Sequence, residues 1–369
     1  MRTKAIIHLS NFAENMNLVR ARIGNNRRIC VPVKADAYGH GALEIAKKSL
    51  ETGAYCLGVA LAAEGAELRK GGIKAPILLF SQPHPEEIPQ VIEAGLIPFI
   101  SDAQYASALN ERAAAEKLKL PVHLKIDTGM GRLGCPVEEA AALARHIAAC
   151  PSLELAGTAT HFAVSDSTDE RDIAYTRRQL SLFKEAADAI RDAGIDPGIV
   201  HAANSGAVIL HPDAWLDMVR PGILLYGYNT VEQSENQLRA KPVMELRTNV
   251  ALIKKIKKGE SVSYGRTWTA PQDTFIAVLP AGYGDGIPRI AGSKWQALIG
   301  GRTYPFAGRI CMDQCCVDLG PEPSVRRWDE TVIFGGSAWD AAALAAVTGT
   351  IPYEITCNIN KRVPRVYEN

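Results

Sequence analysis

RICVPVKADAYGHGALEIAKKSLETG, residues 28–53, joins a short apolar run to an Ala/Leu/Glu-rich one. RICVPVK (28–34) has the β-branched, unbroken apolar character of a strand buried on both faces. ALEIAKKSLETG (42–53) predicts a helix. Between them stand one lysine, Lys34, then Tyr38, Gly39 and Gly41. A buried strand that ends on an amine and returns as a helix is the unit from which parallel α/β folds are built.

The unit repeats up to about residue 235. Further strands are predicted at YCLGVA (55–60), APILLF (75–80), LIPFI (96–100), VHLKID (122–127), LELAGTA (153–159), IVHAA (199–203) and LDMVRPG (216–222). Helical stretches such as ASALNERAAAEKL, VEEAAALARHIAAC and YTRRQLSLFKEAADAIRDAG lie between most of them, the last stopped by Gly194. The link between the seventh and eighth strands is short. About eight strand–helix units predict a (β/α)8 TIM barrel. A doubly wound sheet concentrates its chemistry in one loop after the first strand. Here Lys34, Asp127, His161, Asn204 and Arg220 follow five different strands, which favours the barrel.

After residue 235 helices nearly vanish. VMELRTNVALIKKIKKG, SVSYGRTW, TFIAVLPAGYGDG, WQALIG, RTYPFAGRICMDQCCVDL and ETVIFGG alternate with Gly and Pro turns, and DAAALAAVTG is one short helix. This predicts an α/β chain of two domains. Residues 10–235 form the barrel, and 236–369 form a mostly antiparallel β domain. KAIIHL, within the opening strand 2–9, fits either domain by pattern alone.

The 369 residues carry a net charge of +1, with 47% apolar and 22% charged residues. No basic face marks a nucleic-acid partner. No run approaches the ~20 apolar residues of a membrane span, and the N-terminus lacks a secretory pattern. A cytoplasmic protein is expected. The cysteines of CMDQCC (311–316) have no zinc-type spacing, and no metal is expected. AGYGDG (281–286) resembles a dinucleotide loop only faintly, because no helix follows it.

Taken alone, a strand-end lysine is a solvated charge. In an apolar mouth, Lys34 is instead an amine nucleophile suited to an aldehyde. KIDTGMGRLG (125–134) turns tightly on Gly129, Gly131 and Gly134 and brings out Arg132, whose fork suits a carboxylate or phosphate. Lys125 and Asp127, two apart in one strand, share a face; if that face is the barrel interior, Lys125 needs a counter-charge. Asn204, Ser205, Arg220 and Gly222 stand at the corner where barrels hold phosphate. Arg220 is donor-only, so a pyridine nitrogen facing it must be an unprotonated acceptor. Tyr264, Tyr283 and Tyr353 cannot be ranked by spacing.

VKADAYGHG, KIDTGMGRLG, THFA, HAANSGA, RPGILLYG, VSYGR, LPAGYGDG, GRICMDQ and YEITCNINKRVPRVY together resemble the alanine racemase family. They run in the family's order from residue 31 to the C-terminus. The resemblance implies the same barrel and β domain, with the first strand joining the β domain. It also implies a homodimer with shared active sites, pyridoxal 5′-phosphate as cofactor and a small amino acid as substrate. Carried over by motif, Lys34 is the Schiff-base lysine. Tyr38, Asn204, Ser205, Gly222, Ile223 and Tyr353 surround the cofactor, chiefly its phosphate. Arg220 faces the pyridine nitrogen with His201 behind it, and His161 flanks the ring. Arg132 and the Met312 N–H receive the substrate carboxylate, and Asp313 supports them. Lys125 matches a lysine that is often carbamylated. Tyr264, from the partner subunit, is the second base, while Tyr283 and Tyr353 line the entrance. The resemblance leaves rivals on related scaffolds: a serine or broad-specificity racemase, a cofactor-binding homeostasis protein, and a fold-type III decarboxylase. The β domain and Tyr264 favour a racemase, and Tyr353 favours a small side chain.

Overall fold

The computed structural model describes residues 3–231, 238–336 and 338–369. The boundary expected at 235/236 lies outside the described residues. The chain divides into two compact units, one drawn from Ala13–Ala37 and Ala42–Ala240, the other from Met1–Phe12, Tyr38–Gly41 and Lys241–Asn369. The chain opens with β1 (Lys4–His8) and α1 (Leu9–Ile23).

The first unit is a closed parallel barrel. The strands of its ring are β2 (Arg28–Pro32), β3 (Cys56–Val59), β4 (Ile77–Leu79), β5 (Ile97–Ile100), β6 (Leu120–Asp127), β7 (Leu153–Ala159), β8 (Ile199–His201) and β9 (Met218–Val219), and the short Cys135–Pro136 pairs with the end of β6 off the ring. Each pairs in parallel with the next through β8. The ring closes where β9 pairs with β2, and where the Asp217 and Arg220 N–H groups donate to the Val200 and Ala203 carbonyls at 3.1 and 2.8 Å. Ring order is chain order, so the residues following every strand lie at one end of the barrel.

Local sequence explains these elements. Ile29, Cys30 and Val31 in β2, like Ile77 and Leu79 in β4, are fully buried, as strands covered on both faces must be. The intervening helices are α2 (Ala42–Glu51), α3 (Ala62–Lys70), α4 (Ile88–Glu93), α5 (Ala103–Ala115), α6 (Ala140–Ala149), α7 (Glu170–Asp192) and α8 (Ser205–Leu210). In α2, Ile45, Ala46 and Ser49 are buried while the charged positions face outward. Helix α7 begins where Asp169 accepts the Arg171 N–H, and it stops before Gly194, at φ +78°. The short link between β8 and β9 holds only α8 and a single 3₁₀ turn, Pro212–Ala214.

The second unit is β-rich. Its strands are β10 (Met244–Asn249), β11 (Leu252–Ile256), β12 (Ser261–Val262), β13 (Trp268–Thr269), β14 (Thr274–Leu279), β15 (Gln296–Ile299), β16 (Arg302–Pro305), β17 (Cys315–Gly320), β18 (Glu330–Phe334) and β19 (Arg365–Glu368). One sheet runs β16-β15-β18-β10-β1-β19, a second β11-β14-β17, and β12 pairs with β13. Strand β1 is antiparallel to β10 and parallel to β19. VMELRTNVALIKKIKKG, a single run in the sequence, is two strands in different sheets. The Val250 N–H donates to Asp329 on the first side and the Ala251 N–H to Val278 on the other. Among the described residues after β10, this unit carries the helices α9 (Ala341–Thr348) and α10 (Pro352–Cys357). Only α9 was expected. Pro352 in the first turn of α10 suits a helix start.

Candidate active site

Lys34 follows β2 by two residues and is half-buried. It does not continue the strand. Ala35, Asp36, Ala37 and Tyr38 all take φ of 52–53°, a left-handed turn built without a glycine. Such a conformation costs roughly 1–2 kcal/mol per residue and persists only when neighbours enforce it. The Ala37 N–H donates to the Val33 carbonyl at 2.8 Å. Glu64 accepts the Ala35 N–H at 2.6 Å, and Asp36 accepts the Ala42 N–H at 2.7 Å. Glu64 also accepts the N–H groups of Ala60 and Leu61 at the start of α3.

Arg220 follows β9 and is 6% exposed. Its Nη1 donates to His201 Nδ1 at 2.6 Å. Its Nη2 reaches the carbonyls of Thr160 at 2.7 Å and Ala202 at 3.0 Å, with His161 Nδ1 at 3.4 Å. No carboxylate pairs with it among the described residues. Burial lowers its pKa to about 10, so it stays a cation at neutral pH. Its Nε–H makes no hydrogen bond among the described residues.

His161 is the meeting point of the barrel charges. Burial, then the charges of Arg220, Lys125, Arg132 and Lys34, hold it well below the usual imidazole range. His201, fully buried, is held neutral by burial, then by Arg220. Lys125 is 6% exposed, and burial with Arg220 brings its pKa down to about 7. Asp127 is not its direct partner: its Oδ1 accepts the N–H groups of Gly129 and Gly131 at 2.9 and 3.1 Å. That cap shapes the glycine turn and leaves Arg132 exposed.

At the phosphate corner, Ser205 Oγ accepts the N–H groups of Gly222 at 2.9 Å and Leu224 at 3.3 Å. Ile223 is buried beside them. Asn204 caps α8, its Oδ1 taking the Ala207 N–H at 3.1 Å and the Ser165 hydroxyl at 2.6 Å.

In the β unit, the rings of Tyr38 and Tyr353 lie 5.8 Å apart. Tyr264 is 68% exposed and Met312 53%. With Ser263, Cys311, Asp313 and Gln314 they line an open cleft of about 520 Å³. Tyr283 lines a different one. Its backbone nevertheless orients Met312: the Tyr283 N–H holds the Cys311 carbonyl at 3.0 Å, and the Gly284 N–H holds the Met312 carbonyl at 2.8 Å. The planar trans peptide then points the Met312 N–H away from the Tyr283 loop. Arg362 ties the two loops together, donating to Asp285 and Asp313 at 2.8 Å each and to the Met312 carbonyl at 3.3 Å.

Sequence reasoning passed over Glu64, Arg362 and His123, which bonds to His201 at 2.8 Å. His123 was within reach, since it lies two residues before Lys125 on the same face of β6.

The donor set fits pyridoxal phosphate. An aromatic nitrogen that remains an acceptor matches an Arg220 that has a donor to give and no proton to lose. The cation-rich, carboxylate-poor mouth suits an anionic group. Lys34 supplies a primary amine, the group an aldehyde condenses with.

The comparisons agree. The sequence profile described as alanine racemase, N-terminal domain, matches residues 7–230, and that of the C-terminal domain matches 243–367. The alanine racemase of Treponema denticola is 50% identical over 99% of this chain and 98% of its own length. The solved alanine racemase of Clostridium difficile 630 superposes with a TM-score of 0.93 at 36% identity, covering 100% of this chain and 96% of that one. The enzyme from D-cycloserine-producing Streptomyces lavendulae gives 0.91 at 35% identity, covering 100% and 97%. Spanning both halves of the family and nearly the full length of its relatives, the chain belongs to the alanine racemase family.

Proposed function

We propose that this protein interconverts L-alanine and D-alanine with pyridoxal 5′-phosphate by a two-base mechanism, and that it acts in the cytoplasm to supply D-alanine for peptidoglycan. Arg220 carries the reading. Among the described residues it is a buried cation with no carboxylate partner, and its Nε–H and one Nη1–H are uncommitted donors. A guanidinium facing the pyridine nitrogen cannot protonate it, which restrains charge from spreading fully into the ring and suits a reaction that only inverts Cα.

The cofactor, when bound, delocalises the electron pair left on Cα once its proton departs. The protein supplies everything else. Residues 10–235 hold the cofactor: Lys34 carries it, and Ser205, Gly222 and Ile223, joined by Tyr38 and Tyr353, bind its phosphate. Asn204 keeps the N-terminus of α8 in place. His161 flanks the ring as a neutral imidazole. Residues 236–369 supply the second base and part of the carboxylate site. Arg132 and the Met312 N–H receive the substrate carboxylate, with Asp313 holding the Met312 loop through Arg362. Carbamylation of Lys125 gives Arg132 an anionic partner. Lys34, released from the cofactor, removes the proton of D-alanine, and Tyr264 from the partner subunit removes that of L-alanine. Bases on opposite faces avoid carrying one group across the plane.

Enantiomers have equal free energy, so kcat/KM is the same in both directions for every variant, and rates alone cannot assign the bases. Solvent exchange can. In D2O, the Tyr264→Phe enzyme is expected to lose racemisation by roughly 10²–10⁴-fold while still exchanging the α-proton of D-alanine. Lys34→Ala should lose both. Wild-type protein that turns over neither alanine enantiomer, or turns over serine faster, sinks the reading.

A further inference from the structure

Two histidines stand in series behind Arg220. Arg220 Nη1 lies 2.6 Å from His201 Nδ1, and His201 Nε2 lies 2.8 Å from His123 Nδ1. A guanidinium only donates. His201 Nδ1 therefore accepts and carries no proton. A neutral His201 then bears its proton on Nε2 and donates it to His123. His123 Nδ1 must in turn be bare, which puts the His123 proton on Nε2. One donor-only residue fixes the direction of the whole chain.

Both rings are built in. His201 is 0% exposed and His123 is 2% exposed. The His123 ring stacks on Phe99, with centroids 6.2 Å apart and planes 15° apart. On β7, Gly157 is the registered partner of His123. A Cβ at Gly157 would come within 2.5–2.7 Å of the imidazole atoms, so the neighbouring strand gives up a side chain to admit this ring. Burial, then the charge of Arg220, brings the pKa of His123 down to about 3.

We propose that His123 is a positioning residue whose bare Nδ1 selects the Nε2–H tautomer of His201 and so aims the Arg220 guanidinium at the cofactor's pyridine nitrogen. The aim rests on the function assigned to Arg220 above; the tautomer chain does not. Without an acceptor at position 123, the Nε2–H form of His201 loses its hydrogen bond. The other tautomer turns an N–H against the guanidinium, and Arg220 loses its shortest contact.

The test is a ¹⁵N-histidine-labelled holoenzyme, in which bare and protonated ring nitrogens are told apart by their shifts and long-range proton couplings. Nε2–H is expected on both His201 and His123. His123→Asn sets an amide oxygen near the place of Nδ1 and should preserve the His201 tautomer, the cofactor absorbance and kcat. His123→Leu should move the His201 proton to Nδ1, shift the cofactor absorbance and lower kcat about tenfold with KM little changed. An Nδ1–H His201 in the wild type overturns the proposal. So does a Leu variant with unchanged tautomer, absorbance and kcat, or an Asn variant that behaves like Leu. The spectra are read whether or not alanine turns over, so failed turnover with the expected tautomers counts against the functional reading alone.

Discussion

His123, His161 and His201 are each held below the ordinary imidazole range, His123 at about 3. In the unfolded chain each titrates near ~6.5. As pH falls below ~6.5, the unfolded chain takes up protons that the folded barrel refuses. These residues therefore contribute their full stability above ~6.5 and lose it on acidification, each by up to ~1.4 kcal/mol per pH unit. Burial, then the charge of Arg220, is the physical cause, so the effect belongs to single side chains. His123→Asn removes one of the three titrations. Urea midpoints measured from pH 7 down to 5 should fall less steeply in that variant than in the wild type. Equal slopes would mean that His123 titrates alike in the folded and unfolded chain, and a steeper fall in the variant would mean that the folded protein already holds His123 protonated.

The left-handed turn after β2 is an element that its own residues do not favour. Ala35 and Ala37 disfavour positive φ, Asp36 tolerates it only as an occasional single residue, and no glycine stands within the four positions 35–38. It is imposed from outside, chiefly by Glu64, whose carboxylate accepts the N–H groups of Ala35, Ala60 and Leu61 at 2.6, 2.8 and 3.1 Å. Glu64→Ala leaves three backbone donors without their acceptor. Allowing for water to reach the exposed ones, we expect a loss of about 2 kcal/mol in urea unfolding, and a larger loss of activity than of stability because Lys34 stands at the head of the turn. Glu64→Gln keeps an acceptor oxygen and should lose less; equal losses in the two variants would count against the carboxylate's role. The same physics decides what the sequence disclosed. Buried parallel strands and amphipathic helices are local patterns, so the barrel elements were legible, and Gly194 marked the end of α7. The left-handed turn and the break between β10 and β11 depend on distant partners such as Glu64, Asp329 and Val278, and no local pattern encodes them, whereas the start of α10 does carry a local mark in Pro352.

At the scale of the molecule, the candidate site was legible wherever chemistry-bearing residues follow strands, as Lys34, Arg132, His161, Ser205 and Arg220 do. It was illegible where a residue works through another, as His123 does through His201 and Arg362 through Asp285, Asp313 and the Met312 carbonyl. Tyr264 poses the remaining question. The base proposed at Tyr264 is 68% exposed, in an open cleft with a 53% exposed Met312, and has little to exclude water in a single chain. A second copy supplies the missing cover if Tyr264 serves its partner's Lys34. Complementation tests this directly. Lys34→Ala and Tyr264→Phe chains, each crippled alone, are co-expressed under different tags. If the site is shared, a mixed dimer has one site with both lesions and one with neither. Random pairing makes half the dimers mixed, so activity should recover to about a quarter of wild type per chain. If Tyr264 instead serves the Lys34 of its own chain, each site in a mixed dimer carries one lesion and activity stays at the level of the separate variants. Purification through both tags should then concentrate the recovered activity in the mixed dimer in the first case and yield none in the second.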